Sequence, residues 1–179
     1  MLFSENLFLK PFSLAEAEDL LKLQLTNKEF FEKFAMVRSD SFYSLEHQQS
    51  LIKKWENDIE NDLEYQFGIF HKDTNKLFGI ISLFQVIRGS LQSAFIGYFV
   101  DKNYNGMGFG TEAVKLIVDY AFKQLNLHRI EAGVMPHNIG SIRVLEKSGF
   151  HKEGLSIKNV KINGKWEDHQ VLAIINPID

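Results

Sequence analysis

The chain has 179 residues, of which 45% are hydrophobic, and this suits one domain over residues 1–179 with a single apolar core. It contains no cysteine, which excludes disulfides, thiolate metal sites and a cysteine-bound acyl intermediate, and we expect no metal site. The formal net charge of −3 provides no field that would attract phosphate backbones, so we expect no direct nucleic-acid binding.

The chain shows no sign of membrane insertion or export. No apolar stretch approaches the ~20 residues of a membrane span. Residues 1–6 lack the basic region and long apolar run of a signal peptide, so we expect a cytoplasmic protein that does not bind membranes. A run of acidic residues could contact a basic protein, or it is only the solvent-exposed face of a helix and the segment that follows that helix. It consists of Glu56, Asp58, Glu60, Asp62 and Glu64.

The first predicted elements are a strand and a capped helix. Residues Leu7 to Phe12 have strand character, and Ser13 is a suitable N-cap for a helix from Leu14 to about Leu25. Glu16 would complete a capping box with Ser13. The segment Asn27 to Ser41 mixes phenylalanines with charges and cannot be assigned, so its aromatic rings could belong to the core or to the wall of a binding groove.

A second capped helix is followed by strands. Ser44 precedes a helix from Leu45 to about Asn61, with apolar residues at helical spacing. At the other end of the chain, Asn163-Gly164 is a strong hairpin signal. The predicted strands run from Tyr65 to His71, Leu77 to Ile87, Leu91 to Val100, Phe150 to Ile162 and Lys165 to Ile175.

Three alternating glycines, Gly106, Gly108 and Gly110, lie between a predicted strand and an amphipathic helix. Glycine has no Cβ, and a helix N-terminus offers free N–H groups and a positive dipole end, so the stretch can cradle a pyrophosphate. Alternatively, it is an ordinary tight turn. No Gly-Lys-Ser/Thr follows, and the motif lies past mid-chain, which disfavours a P-loop and a dinucleotide fold. We therefore predict another ligand that carries a diphosphate.

A second motif begins about one helix length downstream. Residues Arg129 to Met135 read as an interior strand, and Asn138 is a good N-cap for a short helix. Lys147 lies in the last turn of this helix, and Gly149 followed by Phe150 is typical of a helix stop. The predicted order is therefore strand, glycine loop, helix, strand and Asn-headed helix.

This order and these residues resemble the GNAT superfamily of acetyl-CoA-dependent N-acetyltransferases, whose pyrophosphate loop reads Gln/Arg-x-x-Gly-x-Gly/Ala. The matching residues are Asn105, Gly108 and Gly110, so the first position departs from the pattern. Further segments look like the ribosomal-protein-alanine acetyltransferases of the RimJ/RimL type, RimJ most closely. These segments are Val86–Ser90, Thr111–Ala113, Met135–Asn138, Glu146–Phe150, Lys152–Gly154 and Gly164–His169.

The resemblance implies a mixed α/β fold, with a mostly antiparallel central sheet that is splayed in the middle and has helices on both faces. Acetyl-CoA would lie in the splay, where the backbone of Tyr98, Phe99 and Val100 would pair with pantetheine and polarise the thioester carbonyl. Asn138 would contact the cofactor near its reactive end, or would be an N-cap, or both. The pyrophosphate loop would consist of Asn105, Gly106, Met107, Gly108, Phe109, Gly110 and Thr111.

Acetyl transfer also needs a proton donor for the departing thiolate. Many GNAT enzymes use a tyrosine where this chain has Leu145. In RimL-like enzymes a serine at the Asn-x-x-Ser position has this role, so the resemblance makes Ser141 the acid candidate and a further cofactor contact. Alternatively, Ser141 only hydrogen-bonds within the first helical turn.

The general base is harder to assign. The glutamate of RimL-like enzymes matches Val160 here, so that role cannot be transferred. Glu131 is our candidate base, acting through a water, although it could instead only pair with Arg129. His128 and His137 also have the side-chain chemistry of a base, although a histidine near a strand end is more often a satisfied structural group, and Asp168 and His169 on the last strand could form a structural hydrogen-bonded pair.

The acceptor is expected to be an amine, most simply the N-terminal α-amine of a ribosomal protein. An α-amine is partly neutral at pH 7, whereas a lysine side chain would cost about 3 kcal/mol more to deprotonate, so a weak base suffices. A polyamine, an amino acid or an antibiotic is the alternative acceptor, and an acidic pocket within Asn27–Asp62 would favour a polycation. A non-catalytic acyl-CoA-binding regulator is the remaining alternative. The final hairpin could mediate a homodimer.

Overall fold

A computed structural model describes residues 1–179 as eight strands and five α-helices. The strands are β1 (Leu2–Phe3), β2 (Leu7–Pro11), β3 (Tyr65–His71), β4 (Leu77–Ile87), β5 (Ser93–Val100), β6 (Arg129–Val134), β7 (His151–Ile162) and β8 (Lys165–Ile175). The helices are α1 (Ala17–Thr26), α2 (Lys28–Glu32), α3 (Leu45–Glu60), α4 (Phe109–Lys123) and α5 (Ile139–Lys147). All strands join one sheet in the order β1-β2-β3-β4-β5-β6-β8-β7.

The sheet is mostly antiparallel, as predicted. Only the central pair, β5 and β6, runs parallel. Each of these two strands has an antiparallel neighbour on its other side, β4 for β5 and β8 for β6. The two halves of the sheet are therefore joined only through β5 and β6.

That junction separates after three residue pairs. β5 and β6 pair from Ser93 with Arg129 to Phe95 with Glu131. Beyond Phe95, β5 continues along β4 as far as Val100, and β6 continues along β8 as far as Val134. The two strands thus diverge and leave a slot between them, which confirms the predicted splay.

Helices cover the two faces of the sheet with separate apolar clusters. On one face, α4 and α5 pack into the larger cluster, to which they contribute Ile117 and Leu145. On the other face, α1 and α3 pack into a second cluster through Leu20 and Ile52. All four side chains are completely buried, and full burial of an aliphatic side chain is worth roughly 1.5–3 kcal/mol.

Most predicted element bounds are confirmed, and the differences are local. The first helix begins with a 3₁₀ turn at Leu14–Glu16 before α1, and the Glu16 carboxylate accepts a hydrogen bond from the Ser13 N–H at 3.3 Å. β5 starts at Ser93 rather than at Leu91, because Gln92 has a left-handed φ of 43°. The two-residue strand β1 was too short for its sequence to reveal.

The unassigned segment Asn27 to Ser41 contains α2 and then an irregular loop that leads to a 3₁₀ turn at Asp40–Tyr43. The acidic run beyond it forms ion pairs at the end of α3. Asp58 binds Lys54 at 2.5 Å, and Asp62 binds Arg88 at 2.7 Å. None of the helices combines the length and apolar character that spanning a bilayer requires.

Candidate active site

The glycine loop presents a row of unpaired backbone donors. Gly106 and Gly108 have φ values of 76° and 84°, which glycine adopts without strain, and Gly108 is the N-cap of α4. No backbone N–H of residues 105–111 donates to another backbone group. A Cβ on Gly108 would meet no atom within 4 Å, so the space above it is open. Free N–H groups at the N-terminus of a 15-residue helix fit a diphosphate.

Gly110 has a different function from the two glycines before it. A Cβ at this position would lie 3.4 Å from Cγ2 of Val144 on α5. The absence of a side chain therefore lets the first turn of α4 lie close to α5, which brings the glycine loop next to the Asn-headed helix.

The carboxylate of Glu112 is close to this anion site in sequence, but hydrogen bonds hold it against the N-terminal segment. Glu112 lies in the first turn of α4, but its side chain accepts hydrogen bonds from the Asn6 N–H at 2.7 Å and from the Ser4 hydroxyl at 2.5 Å. Burial alone would raise the pKa of Glu112, yet these hydrogen bonds hold that pKa below its usual value. The charged carboxylate thus anchors the N-terminal segment instead of competing for the loop donors.

Only part of the predicted pantetheine-binding backbone faces the slot. Asp101 donates its N–H to the carbonyl of Phe78 on β4. Because backbone groups alternate along a strand, those of Phe99 also face β4, while those of Tyr98 and Val100 face the slot. The backbone groups that remain free for the predicted pantetheine contact are therefore those of Tyr98 and Val100.

The Tyr98 side chain reaches α5. Its hydroxyl lies 2.7 Å from Oγ of Ser141 and 3.2 Å from the Ser141 carbonyl oxygen. Burial raises the pKa of Tyr98 to about 12, so the phenol remains protonated at neutral pH. The sequence did not reveal this pair, because its members are 43 residues apart.

Asn138 caps α5, since its Oδ1 accepts a hydrogen bond from the Ser141 N–H at 3.3 Å. This leaves the amide nitrogen of Asn138 available to a ligand. Leu145, at the position of the family tyrosine, is completely buried in the core. The short helix therefore orients Ser141, and not residue 145, toward β5.

Glu131 lies where the two central strands still pair, opposite Phe95. Its carboxylate accepts a hydrogen bond from Nε of Arg129 at 2.9 Å. The same guanidinium binds Glu153 at 3.0 Å through Nη1. The candidate base is thus held in an ion-pair network at the closed end of the slot.

The other base candidates have separate partners. His128 is bound to Asp179 at 2.8 Å near the end of the chain. The Asp168 carboxylate accepts a hydrogen bond from the Lys158 N–H at 2.8 Å. Asp168 and His169 therefore do not form the expected hydrogen-bonded pair, and the two side chains project to opposite faces of β8.

An open cavity of about 210 Å³ lies at the open end of β6, on the expected acceptor side. The loop after α2 and the tip of the last hairpin meet here, since the Asn163 N–H donates to the Ala35 carbonyl at 2.9 Å. The lining residues are Lys33, Met135, His137, Ile162, Asn163, Lys165 and Glu167.

Arg38 lies on the same face of the sheet and was not singled out in the sequence. Its guanidinium is 4.4 Å from the ring centroid of Phe42 and 5.5 Å from that of Phe99. Nη1 donates to Oε1 of the buried Gln24 at 3.2 Å. No carboxylate binds Arg38 directly, but its Nη1 also lies 3.5 Å from the Tyr43 hydroxyl, which donates to Oε1 of Glu32 at 2.7 Å.

Together, these features define an acyltransferase whose donor carries a diphosphate: a splayed sheet, unpaired loop donors beside the slot, and a cavity at its far end. Residues 6–151 match the family model described as an acetyltransferase (GNAT) domain. The chain belongs to this GNAT acetyltransferase family, and it is therefore an N-acetyltransferase that uses acetyl-CoA.

Known proteins are similar over the whole chain. The probable N-acetyltransferase YjcK of Bacillus subtilis (strain 168) is 58% identical over 179 residues, which cover 100% of this chain and 99% of the relative. The ribosomal-protein-S5-alanine acetyltransferase of Vibrio fischeri has a TM-score of 0.93 at 29% identity, covering 99% of this chain and 97% of that one. Mycobacterium smegmatis RimJ in complex with CoA-disulfide has a TM-score of 0.90 at 28% identity, covering 94% and 81% respectively.

Substitution in the glycine loop tests the donor site. We expect Gly108→Glu to weaken acetyl-CoA binding by about tenfold or more, because a carboxylate would occupy the open space and repel the diphosphate. Isothermal titration with acetyl-CoA measures this effect.

Gly89→Glu is the matched control, since Gly89 has a similar φ of 70° and equally open surroundings in the β4–β5 connection. Both variants carry the same charge change and comparable backbone strain. Equal acetyl-CoA affinities in the two variants would contradict the assignment of the loop.

Proposed function

We propose that the protein transfers an acetyl group from acetyl-CoA to the N-terminal α-amine of a protein, with the N-terminal alanine of a ribosomal protein as the first candidate. The structural likeness to the Vibrio fischeri enzyme, which is named for that acceptor, supports this proposal. An acceptor on the ribosome would place the protein in the cytoplasm.

The observation that carries the proposal is the charge of the acceptor side. Lys33 and Lys165 line the cavity, and Arg38 lies near the Phe99 ring on the same face of the sheet. Glu167 is the cavity's only carboxylate, and it lies 3.9 Å from Lys165. The lining offers a polycation only this one carboxylate, which is already beside a lysine, whereas a single N-terminal amine followed by a peptide backbone can enter the open cavity.

The acidic run does not contribute to the lining of this cavity. Two of its members, Asp58 and Asp62, are neutralised by Lys54 and Arg88 at the end of α3. Arg88 also donates to the Leu125 carbonyl at 2.5 Å, so this network connects α3 to the segment that precedes β6. Its function is to hold elements together, which favours the peptide acceptor over a polycation.

The proton transfers that an α-amine acceptor requires match the groups that this site offers. When bound, acetyl-CoA would supply the activated acetyl thioester, and the loop and slot would position it. Tyr98 can donate its proton to Oγ of Ser141, which leaves the serine proton free for the departing sulfur. An α-amine has a pKa of about 7.7 to 8.0, so only modest help is needed to deprotonate it.

Acceptor identity is tested with unacetylated ribosomes, an alanyl peptide and spermidine as parallel acceptors. We expect one acetyl group on the N-terminus of a single ribosomal protein and of the peptide, measured by intact mass and peptide mapping. A peptide of the same sequence with a blocked N-terminus and an internal lysine is the control and should remain unmodified.

Acetylation of spermidine alone would contradict the proposal and show that the protein is a small-amine acetyltransferase. Acetyl-CoA binding without acetylation of any acceptor would show that it is a non-catalytic acyl-CoA-binding regulator. Modification of the internal lysine would show that the enzyme does not select α-amines.

The acid is tested by Ser141→Ala. We expect kcat for the alanyl peptide to fall by about 10²-fold, because the departing sulfur loses its proton donor. Single-turnover kinetics measure the chemical step directly. Ser148→Ala, at the C-cap of the same helix, removes a hydroxyl that only binds the Val144 carbonyl, and it should retain normal turnover. An equal rate for the Ser141 and Ser148 variants would contradict the acid role.

A further inference from the structure

We propose that His169 is the general base that deprotonates the acceptor amine, an inference that rests on the proposed function. His169 lies on β8, one position beyond the ladder between β8 and the slot strand β6. Its Cβ is 3.7 Å from the Cβ position of Gly133 on β6, and its ring carbon Cδ2 is 3.8 Å from that position. The imidazole therefore lies over the part of β6 that has separated from β5.

The ring faces the acceptor side of the sheet. Leu172 on β8 belongs to the cluster under α4 and α5, so His169, which is three residues away, projects to the opposite face. The same opposite face carries Phe99, which packs against Phe31 of α2 at 5.0 Å. Because Gly133 has no side chain, no side chain at this position of β6 packs against the imidazole.

Hydrogen bonds fix the tautomer. Nδ1 lies 2.8 Å from Oδ1 of Asn159 and 3.1 Å from the carbonyl oxygen of Glu167. A carbonyl oxygen can only accept, so Nδ1 carries the proton and Nε2 keeps its lone pair. Both hydrogen bonds of Nδ1 are retained when Nε2 takes up a proton.

Nε2 is free to accept a proton. His169 is only 6% exposed, yet Nε2 makes no hydrogen bond, and it is not among the buried polar atoms that lack a partner. The nitrogen is thus accessible at the surface of an otherwise buried ring. An unpaired basic nitrogen beside an open slot is the arrangement that a general base requires.

A bulge in β7 creates this arrangement. The register between β7 and β8 shifts between Ser156 and Val160, and Lys158 within the bulge has a φ of 47°. The shift brings the Asn159 amide against His169. No charged side chain binds the ring, because Glu167 contacts it through its backbone and Asp168 lies on the other face.

The proton balance is complete. Nε2 of His169 takes one proton from the acceptor ammonium and later releases it to water. The nitrogen of the neutral acceptor amine then forms the C–N bond with the acetyl carbon while the C–S bond breaks. The sulfur takes the proton of Ser141, and the second amine proton returns to Ser141 through water, so the products are the amide and the free thiol.

The experiment compares wild type, His169→Gln and His151→Gln in single turnovers with the alanyl peptide at pH 7 and pH 9.5. His151 is half-exposed on β7 and serves as the matched control. At pH 7, where roughly a tenth of the α-amine is neutral, we expect His169→Gln to slow acetylation by up to about tenfold, with unchanged acetyl-CoA affinity. At pH 9.5 the peptide amine is already neutral, so the loss should disappear.

The same loss at both pH values would indicate a merely structural role and overturn the proposal, and so would an unchanged rate at pH 7. If His169→Gln does not fold, Asn159→Ala, which keeps the imidazole, should show a smaller loss at pH 7 that also disappears at pH 9.5. No loss in that variant would likewise overturn the proposal. Failure of the wild type to acetylate any α-amine would instead refute the proposed function, and the base role with it.

Discussion

The separation of β5 from β6 is the constraint on which the rest of the structure depends. Each strand leaves the other to follow its antiparallel partner, because β4 and β8 extend well beyond the last shared pair, Phe95 with Glu131. Backbone groups in the slot then lack a strand partner, and such groups need a ligand or water. The fold thus places unsatisfied donors and acceptors in the middle of the sheet rather than at an edge.

The slot connects two chemically different faces. On the α4 and α5 face, the glycine loop provides unpaired N–H groups, and the Tyr98–Ser141 pair provides a protonated hydroxyl. On the other face, Lys33, Lys165 and Glu167 line an open cavity, and His169 presents a nitrogen without a hydrogen-bond partner. An acetyl donor and an amine can therefore reach the same opening from opposite sides, with a proton donor near one and a proton acceptor near the other.

Local patterns in the sequence predicted the elements and the position of the glycine loop. Alternating strand residues and the Asn163-Gly164 turn gave the strand bounds, and Gly106 and Gly108 marked the loop, because their effects act within a few residues. The acceptor side could not be predicted in the same way. The position of Arg38 depends on its tertiary contact with Phe99. The orientation of His169 depends on a bulge that places Asn159, ten residues earlier in the sequence, beside its ring. A register shift leaves no periodic signal in the sequence.

The most direct test of this account is amide NMR of residues 105–111 during titration with CoA and, separately, with pantetheine, which lacks the diphosphate. The account predicts that CoA shifts and protects these amides, whereas pantetheine perturbs the slot at Tyr98 and Val100 and leaves the loop unchanged. Equal responses of the loop to both ligands, or none to CoA, would contradict the claim that the unpaired N–H groups bind the diphosphate.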